Sequence, residues 1–180
     1  MLLVRFLSTF SLLLLILWFI YFFLESAALL SGFAQQYAWG KPRDNSLVFS
    51  LAQKNLPATF PTEKFSDKDV FAELWFGTHP SGPTHVLGTD EKQLSTINTQ
   101  DKSFPTLTEY LNGSQTSKKI SLPYLFKVLS INEALSLQSH PDKKLAEKLF
   151  SLYPQHYKDD NHKPELVLAL TPLRVMCGFR

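Results

Sequence analysis

Cysteine is almost absent from this chain. Cys177 is the single cysteine among 180 residues, which excludes an intramolecular disulfide and a cysteine-based zinc site. Because Cys177 follows Met176, we interpret it as a small buried apolar residue. The sequence also lacks internal repeats and low-complexity tracts, so nothing in it indicates a repeat architecture.

An excess of charge of either sign is missing as well. The formal net charge is +2, and charged residues make up 19% of the chain. No basic field is therefore available to attract nucleic acid, and we predict no nucleic-acid partner. The length suits one domain of ordinary size or part of a larger one.

Proline and aromatic residues, in contrast, are abundant. The chain has 11 prolines and 15 phenylalanines, and its aromatic fraction is 13%. This composition favours a mainly β fold with many turns. Apolar alternation and turn signals predict strands at 36–40, 70–76, 84–87, 124–130, 135–140 and 165–170, and helices at 46–53, 104–111 and 142–150. Such an order is compatible with a β-barrel or sandwich carrying short helices.

A hydrophobic segment without charge precedes this body. Residues 6–24 read FLSTFSLLLLILWFIYFFL, and as a helix they would span about 28 Å, close to a bilayer's hydrocarbon thickness. We predict a transmembrane or signal-like helix within residues 1–30 and a separate domain over 31–180. Arg5 before the segment favours a signal anchor. Two alternatives stay open: a signal peptide cleaved near 26–28, and a segment that is not part of the usual gene product.

Three side chains in the second half form a candidate metal site. On a strand at 135–140, Gln138 and His140 would point to one face, because residues two apart share a face. Glu165 adds a carboxylate at the start of another predicted strand. An amide oxygen, an imidazole and a carboxylate suit a divalent metal such as zinc. The alternatives are a hydrogen-bonded Gln138, a turn at His140 and a Glu165 that pairs with Lys163.

Several sequence blocks resemble one known family, type I phosphomannose isomerase. The blocks occur in the family's order and belong to its amino-terminal part. They are YAWGK at 37–41, AELWFGTHPSGP at 72–83, LPYLFKVLS at 122–130, LSLQSHPDK at 135–143, DNHKPEL at 160–166 and CGFR at 177–180.

The resemblance implies a cupin-type β-barrel (jelly roll) that holds one Zn²⁺ ion and interconverts mannose 6-phosphate and fructose 6-phosphate. The matching zinc positions are Gln138, His140 and Glu165. In the family the fourth ligand is a histidine well downstream of CGFR, and this sequence contains no such segment. We therefore expect a barrel that is incomplete at its carboxyl-terminal end.

The resemblance also assigns roles around the metal. Lys163, near the zinc, is the candidate catalytic residue, either moving a proton or supplying positive charge. Ser136 is the candidate hydroxyl donor to the substrate phosphate, and Trp39 and Glu73 resemble positions that line the sugar pocket. Aldose–ketose isomerisation needs a Lewis acid on the sugar oxygens and a base near the carbon-bound proton.

These features predict a truncated mannose-6-phosphate isomerase, supplying the precursor of GDP-mannose, with little or no activity of its own. We expect a sugar phosphate substrate and a monomeric, cytoplasmic protein, which becomes membrane-anchored if 6–24 inserts. The alternative is a non-enzymatic polypeptide, either a membrane-tethered body or a metal-binding cupin fragment.

Overall fold

A computed structural model describes residues 28–53, 60–88, 104–113, 120–157 and 159–176. The chain divides into two compact units. The first unit runs to Ala134 and contains every regular strand described. The second unit begins at Leu135, and its described residues contain one helix.

In the part of the first unit that the structure describes, seven short strands form three antiparallel sheets. β2 and β7 flank β5 in the largest sheet, β1 pairs with β6, and β3 pairs with β4. The strands are β1 (Leu29–Ser31), β2 (Phe33–Gln35), β3 (Lys41–Pro42), β4 (Val70–Phe71), β5 (Glu73–Phe76), β6 (His85–Gly88) and β7 (Phe126–Leu129). Over the described residues these sheets do not close into a barrel.

The described ranges contain three α-helices, and each begins at a polar capping residue. They are α1 (Leu47–Ala52), α2 (Leu107–Asn112) and α3 (Lys143–Leu152), with short 3-10 turns at Arg43–Asn45 and Thr62–Lys64. Ser46, Thr106 and Asp142 each accept a hydrogen bond from a backbone N–H of the first turn. Such caps satisfy donors that a helix start leaves free. The predicted helices are therefore confirmed, with ends shifted by a few residues.

The hydrophobic core of the first unit lies between α1 and the largest sheet. Phe71, which is fully buried, contacts the rings of Phe49, Phe60 and Phe65 at centroid distances of 4.9, 5.6 and 5.1 Å. Offset and edge-on aromatic pairs at such distances add to the free energy of apolar burial. Many of the phenylalanines counted in the sequence thus stabilise one cluster.

Two strand predictions in the second unit are wrong. The segments 135–140 and 165–170 have no regular strand, and Leu166 is 99% exposed. A strand needs a hydrogen-bonded neighbour, and the described part of the chain supplies none to either segment. Two predictions in the first unit also need correction. The strand predicted at 36–40 is absent, because residues 36–39 are irregular and form a turn between β2 and β3. The strand β7 is present but is largely exposed instead of buried.

No helix among the described residues is long and apolar enough to cross a membrane. The hydrophobic segment 6–24 lies outside the described residues, as does Cys177. The membrane helix and the domain boundary near Ser31 therefore stay predictions.

Candidate functional site

A buried carboxylate in the first unit is held by two neighbours. Glu73 is only 6% exposed, and its Oε2 accepts a hydrogen bond of 2.5 Å from Trp75 Nε1 and lies 3.1 Å from Lys127 Nζ. The ammonium of Lys127 also lies 4.7 Å from the centroid of the Trp75 ring, a cation–π contact. We call Glu73, Trp75 and Lys127 the Glu73 cluster.

Strand alternation explains why these three side chains meet. Glu73 and Trp75 are two residues apart on β5, so they share one face of the sheet, while Leu74 between them points into the core. Lys127 on β7 lies directly opposite Trp75, which makes it the diagonal neighbour of Glu73. The face that turns away from α1 therefore carries the charged pair of this sheet.

A tight turn places Trp39 next to the strands of this sheet. Gly40 N–H donates to the Tyr37 carbonyl at 2.9 Å, and the Trp39 carbonyl accepts from Asn132 and Glu133. A Cβ at Gly40 would lie 2.7 Å from the backbone carbon of Phe71, so only glycine fits without displacing the strand. This requirement explains the glycine of the YAWGK block.

Tyr37 links Trp39 to the buried carboxylate. The Tyr37 and Trp39 rings stack with centroids 5.9 Å apart. Burial, and then the negative charge of Glu73, raise the pKa of the Tyr37 phenol above its ordinary value. Tyr37, Trp39 and Glu73 therefore form one neighbourhood of aromatic faces and a carboxylate, groups that suit the faces and hydroxyls of a sugar.

In the second unit, two of the three predicted metal ligands are in contact. His140 Nε2 lies 3.3 Å from Glu165 Oε1. The imidazole is partly exposed, and the Glu165 side chain is 67% exposed. We call this contact the His140–Glu165 pair; it brings together side chains that are 25 residues apart in the sequence.

Gln138 and Ser136 contact each other. Gln138 Nε2 donates to Ser136 Oγ at 3.2 Å, and both residues lie in the irregular, exposed segment before α3. The hydrogen-bonded amide was one of the two interpretations of Gln138 from sequence. The amide nitrogen of Gln138 makes this bond. The carbonyl oxygen, which is the atom that would bind a metal, takes no part in it.

Lys163 pairs with Asp159, and the alternative pair with Glu165 is absent. Its Nζ lies 2.8 Å from Asp159 Oδ2, and half of its side chain is exposed. Glu165, the alternative partner, faces His140 instead. The ammonium of Lys163 is therefore accompanied by an opposite charge and in contact with water.

The donor atoms fit a zinc ion in chemistry and spacing. Two ligand atoms that each lie about 2.1 Å from a tetrahedral zinc are about 3.4 Å apart, close to the 3.3 Å between His140 Nε2 and Glu165 Oε1. Over the described residues, no three His, Cys, Asp or Glu side chains form a metal-binding group. Among the described residues, a third ligand beside this pair would be of another type, such as the amide of Gln138.

Sequence reasoning missed Lys127 and Tyr37. A signal for Lys127 was present, because it is the one charge in the apolar strand YLFKVLS at 124–130, and a lysine between apolar strand residues usually has a charged partner. Tyr37 gave no comparable signal. Its role depends on the turn at Gly40 and on the charge of Glu73, which comes from a strand far along the chain.

A known family model matches most of the chain. Residues 28–180 match the family model "Phosphomannose isomerase type I, catalytic domain". The chain is 45% identical over 155 residues to the mannose-6-phosphate isomerase of Bos taurus and 44% identical over 155 residues to that of Homo sapiens; each alignment covers 84% of this chain. This chain spans about a third (34%) of the length of these relatives.

Comparison with solved structures supports the same fold. A mutant phosphomannose isomerase from Salmonella typhimurium aligns with a TM-score of 0.51 and 24% identity, covering 76% of this chain and 33% of that protein. The fold is thus a mainly β, phosphomannose isomerase-like fold with few helices. From the family match over residues 28–180, we conclude that the chain belongs to the type I phosphomannose isomerase family.

Proposed function

We propose that this chain forms the amino-terminal part of a zinc-dependent mannose-6-phosphate isomerase, which interconverts mannose 6-phosphate and fructose 6-phosphate and so supplies the precursor of GDP-mannose. Membership of the family supports the reaction class. The observation that carries the proposal is the His140–Glu165 pair, because it joins two distant family blocks at a distance that suits zinc.

In this proposal His140, Glu165 and the amide oxygen of Gln138 hold one Zn²⁺ ion per chain. The ion supplies a Lewis acid for the sugar oxygens. To act as a ligand, Gln138 must turn its carbonyl oxygen toward the other two side chains. Its exposed position leaves room for that rotation, and the bond to Ser136 is a single neutral contact of modest net free energy, about 1 kcal/mol.

The remaining residues act on the sugar phosphate. The Ser136 hydroxyl donates a hydrogen bond to the phosphate, and Lys163 supplies positive charge or moves the proton between C1 and C2. Trp39 and Glu73 line the pocket for the sugar. Support for this last assignment comes from the contacts of Glu73 and from its neighbourhood with Tyr37 and Trp39.

The finer fold belongs to the same proposal. We propose that the three small sheets are parts of a cupin-type jelly-roll barrel. The antiparallel pairing of every strand in the described part of the chain supports this assignment. The protein would act as a monomer in the cytoplasm, where sugar phosphates are found, and segment 6–24 would add a membrane anchor if it inserts.

We expect very little turnover from the 180-residue chain alone. The His140–Glu165 pair is open to water, whereas isomerisation through an enediol needs a site from which water is excluded. A coupled assay that follows fructose 6-phosphate formed from mannose 6-phosphate tests this in the presence of Zn²⁺. The expected kcat/KM is below about a thousandth of that of a full-length relative, such as the Bos taurus enzyme.

A separate binding measurement tests the proposed sugar pocket. Mannose 6-phosphate should quench or enhance the tryptophan fluorescence of the zinc-loaded chain, and Glu73→Gln should weaken this response. Turnover close to that of the Bos taurus enzyme would contradict the expected weakness, and an absent fluorescence response would contradict the proposed pocket.

A metal-binding polypeptide without catalysis is the second candidate. The exposure of the His140–Glu165 pair and of the segment that follows Glu165 favours it. Zinc binding without any response to mannose 6-phosphate would select this candidate over the isomerase.

A further inference from the structure

The amino group of Lys143 is surrounded by oxygen atoms. At the first residue of α3, its Nζ lies 3.0 Å from the Asp160 carbonyl oxygen and 3.2 Å from Asn161 Oδ1. The carboxylates of Asp160 and Glu147 are each 3.4 Å away. A lysine ammonium has three donors, so this group is fully engaged, and three of the four acceptors belong to the 160–161 segment.

The contacts of Lys143 lie close in sequence to both His140 and Glu165. Lys143 follows His140 by three residues, and Asn161 precedes Glu165 by four. The contact therefore joins the two segments close to the point where His140 and Glu165 meet. Because neither segment has a strand partner among the described residues, side-chain contacts must supply the order that a sheet would otherwise give.

The helix makes a firm support for the contact. Asp142 Oδ1 accepts from the backbone N–H of Leu145 at 2.8 Å, which fixes the start of α3. Ala146, one turn further on, is buried. Lys143 is thus attached to a capped helix end, while the 160–161 segment is irregular, so the helix positions the segment.

We propose that Lys143 is a positioning residue, which ties residues 160–161 to the start of α3 and thereby holds Glu165 opposite His140. Only the expected change in zinc affinity rests on the proposed zinc function; the ordering of residues 160–161 by Lys143 can be tested without metal. Groups that support metal ligands from outside typically change metal affinity about 10–100-fold when removed.

The charge state of Lys143 is suited to this role. Desolvation lowers its pKa, but hydrogen bonds to Asp160 and Glu147 outweigh that effect and raise the pKa above its ordinary value. Lys143 therefore stays an ammonium throughout the physiological pH range, and its contacts do not vary there.

The experiment compares Lys143→Met with Lys148→Met in the full 180-residue chain, purified in mild detergent. Lys148 lies on the same helix and is exposed, so Lys148→Met controls for the loss of one lysine charge from α3. The first readout is the heteronuclear NOE of the backbone amides of residues 161–163 and 165 in the metal-free protein, since Pro164 has no N–H. We expect these values to fall in Lys143→Met and to stay unchanged in Lys148→Met, while the amides of α3 stay ordered in both.

The second readout is the dissociation constant for Zn²⁺. We expect Lys143→Met to weaken binding about tenfold and Lys143→Arg to restore most of it. Asp160→Ala should add little to Lys143→Met, because the Asp160 carboxylate no longer has an ammonium to pair with once Lys143 is replaced.

Unchanged amide order in Lys143→Met would overturn the inference. It would equally be overturned if order fell and zinc affinity did not, because Lys143 would then be structural only. If the wild type bound no Zn²⁺, the proposed function would fail, and the amide readout alone would decide whether Lys143 orders the segment.

Discussion

Two apolar segments with similar sequences, one in each unit, differ in secondary structure and in exposure. ELWF in the first unit becomes β5, with a strand on each side and Leu74 buried in the core. ELVLAL in the second unit also begins with a glutamate, but it has no regular strand, and its leucines are exposed. The comparison shows that an apolar pattern indicates only the capacity to form a strand, because a strand also needs a partner.

The two glutamates at the start of these segments differ in the same way. Glu73 is buried and held by Trp75 and Lys127. Glu165 contacts His140 and is largely open to water. A buried, paired carboxylate contributes to folding, whereas an exposed carboxylate can be changed with little effect on folding.

The largest expected effect separates the two units by stability. Phe71→Ala removes the centre of the aromatic cluster and should lower the free energy of unfolding by about 3–5 kcal/mol. Leu168→Ala, in the exposed segment, should change it by less than about 0.5 kcal/mol. Urea denaturation followed by tryptophan fluorescence measures both, and equal losses would break the comparison.

The two glutamates give the next test. Glu73→Gln keeps the shape of the side chain but leaves Lys127 without its carboxylate, which should cost about 1–2 kcal/mol in the same denaturation. Glu165→Gln should cost less than about 0.5 kcal/mol. A larger loss from Glu165→Gln would show that the second unit depends on its ion pair for folding.

The Glu73 substitution has a second, independent readout. Since the charge of Glu73 contributes to the raised pKa of Tyr37, Glu73→Gln should lower that pKa. It should nevertheless remain above the ordinary value, because burial is the larger cause. Ultraviolet absorbance of the phenolate follows the titration, and Tyr37→Phe identifies the signal. An unchanged titration would mean that Tyr37 and Glu73 are not neighbours.

The smallest effect concerns α2 and pH. Hydrogen bonds from the backbone and side chain of Thr106 lower the pKa of Glu109. A carboxylate with a lowered pKa stabilises the fold above its ordinary value of 4.5 and loses this contribution as pH falls through the folded value. Glu109→Ala should therefore cost a little stability at neutral pH and nothing in strong acid, as denaturation at the two pH values would measure. A cost independent of pH would exclude the capping carboxylate as its source.

The parts of the fold that depend on local chemistry were predictable. Ser46 and Asp142 precede apolar helical patterns, and the alternation from Val70 to Phe76 indicated strands that the structure contains, as β4 and β5 with a break at Ala72. The strands of the second unit were not predictable, because the pattern does not reveal whether a partner is present. Lys127 and Tyr37 were missed for a related reason: their roles depend on contacts with Glu73 that are distant in sequence.

The account depends most on the claim that the His140–Glu165 pair is part of a metal site. Zn²⁺ titrated into the metal-free 180-residue chain, with a chromophoric chelator as competitor, tests this claim directly. We expect one ion per chain and an affinity that His140→Ala and Glu165→Ala each reduce by more than about 100-fold, beyond the range for outer groups. Glu73→Gln, in the first unit, should leave it unchanged. Equal affinity of the wild type and His140→Ala would contradict the account.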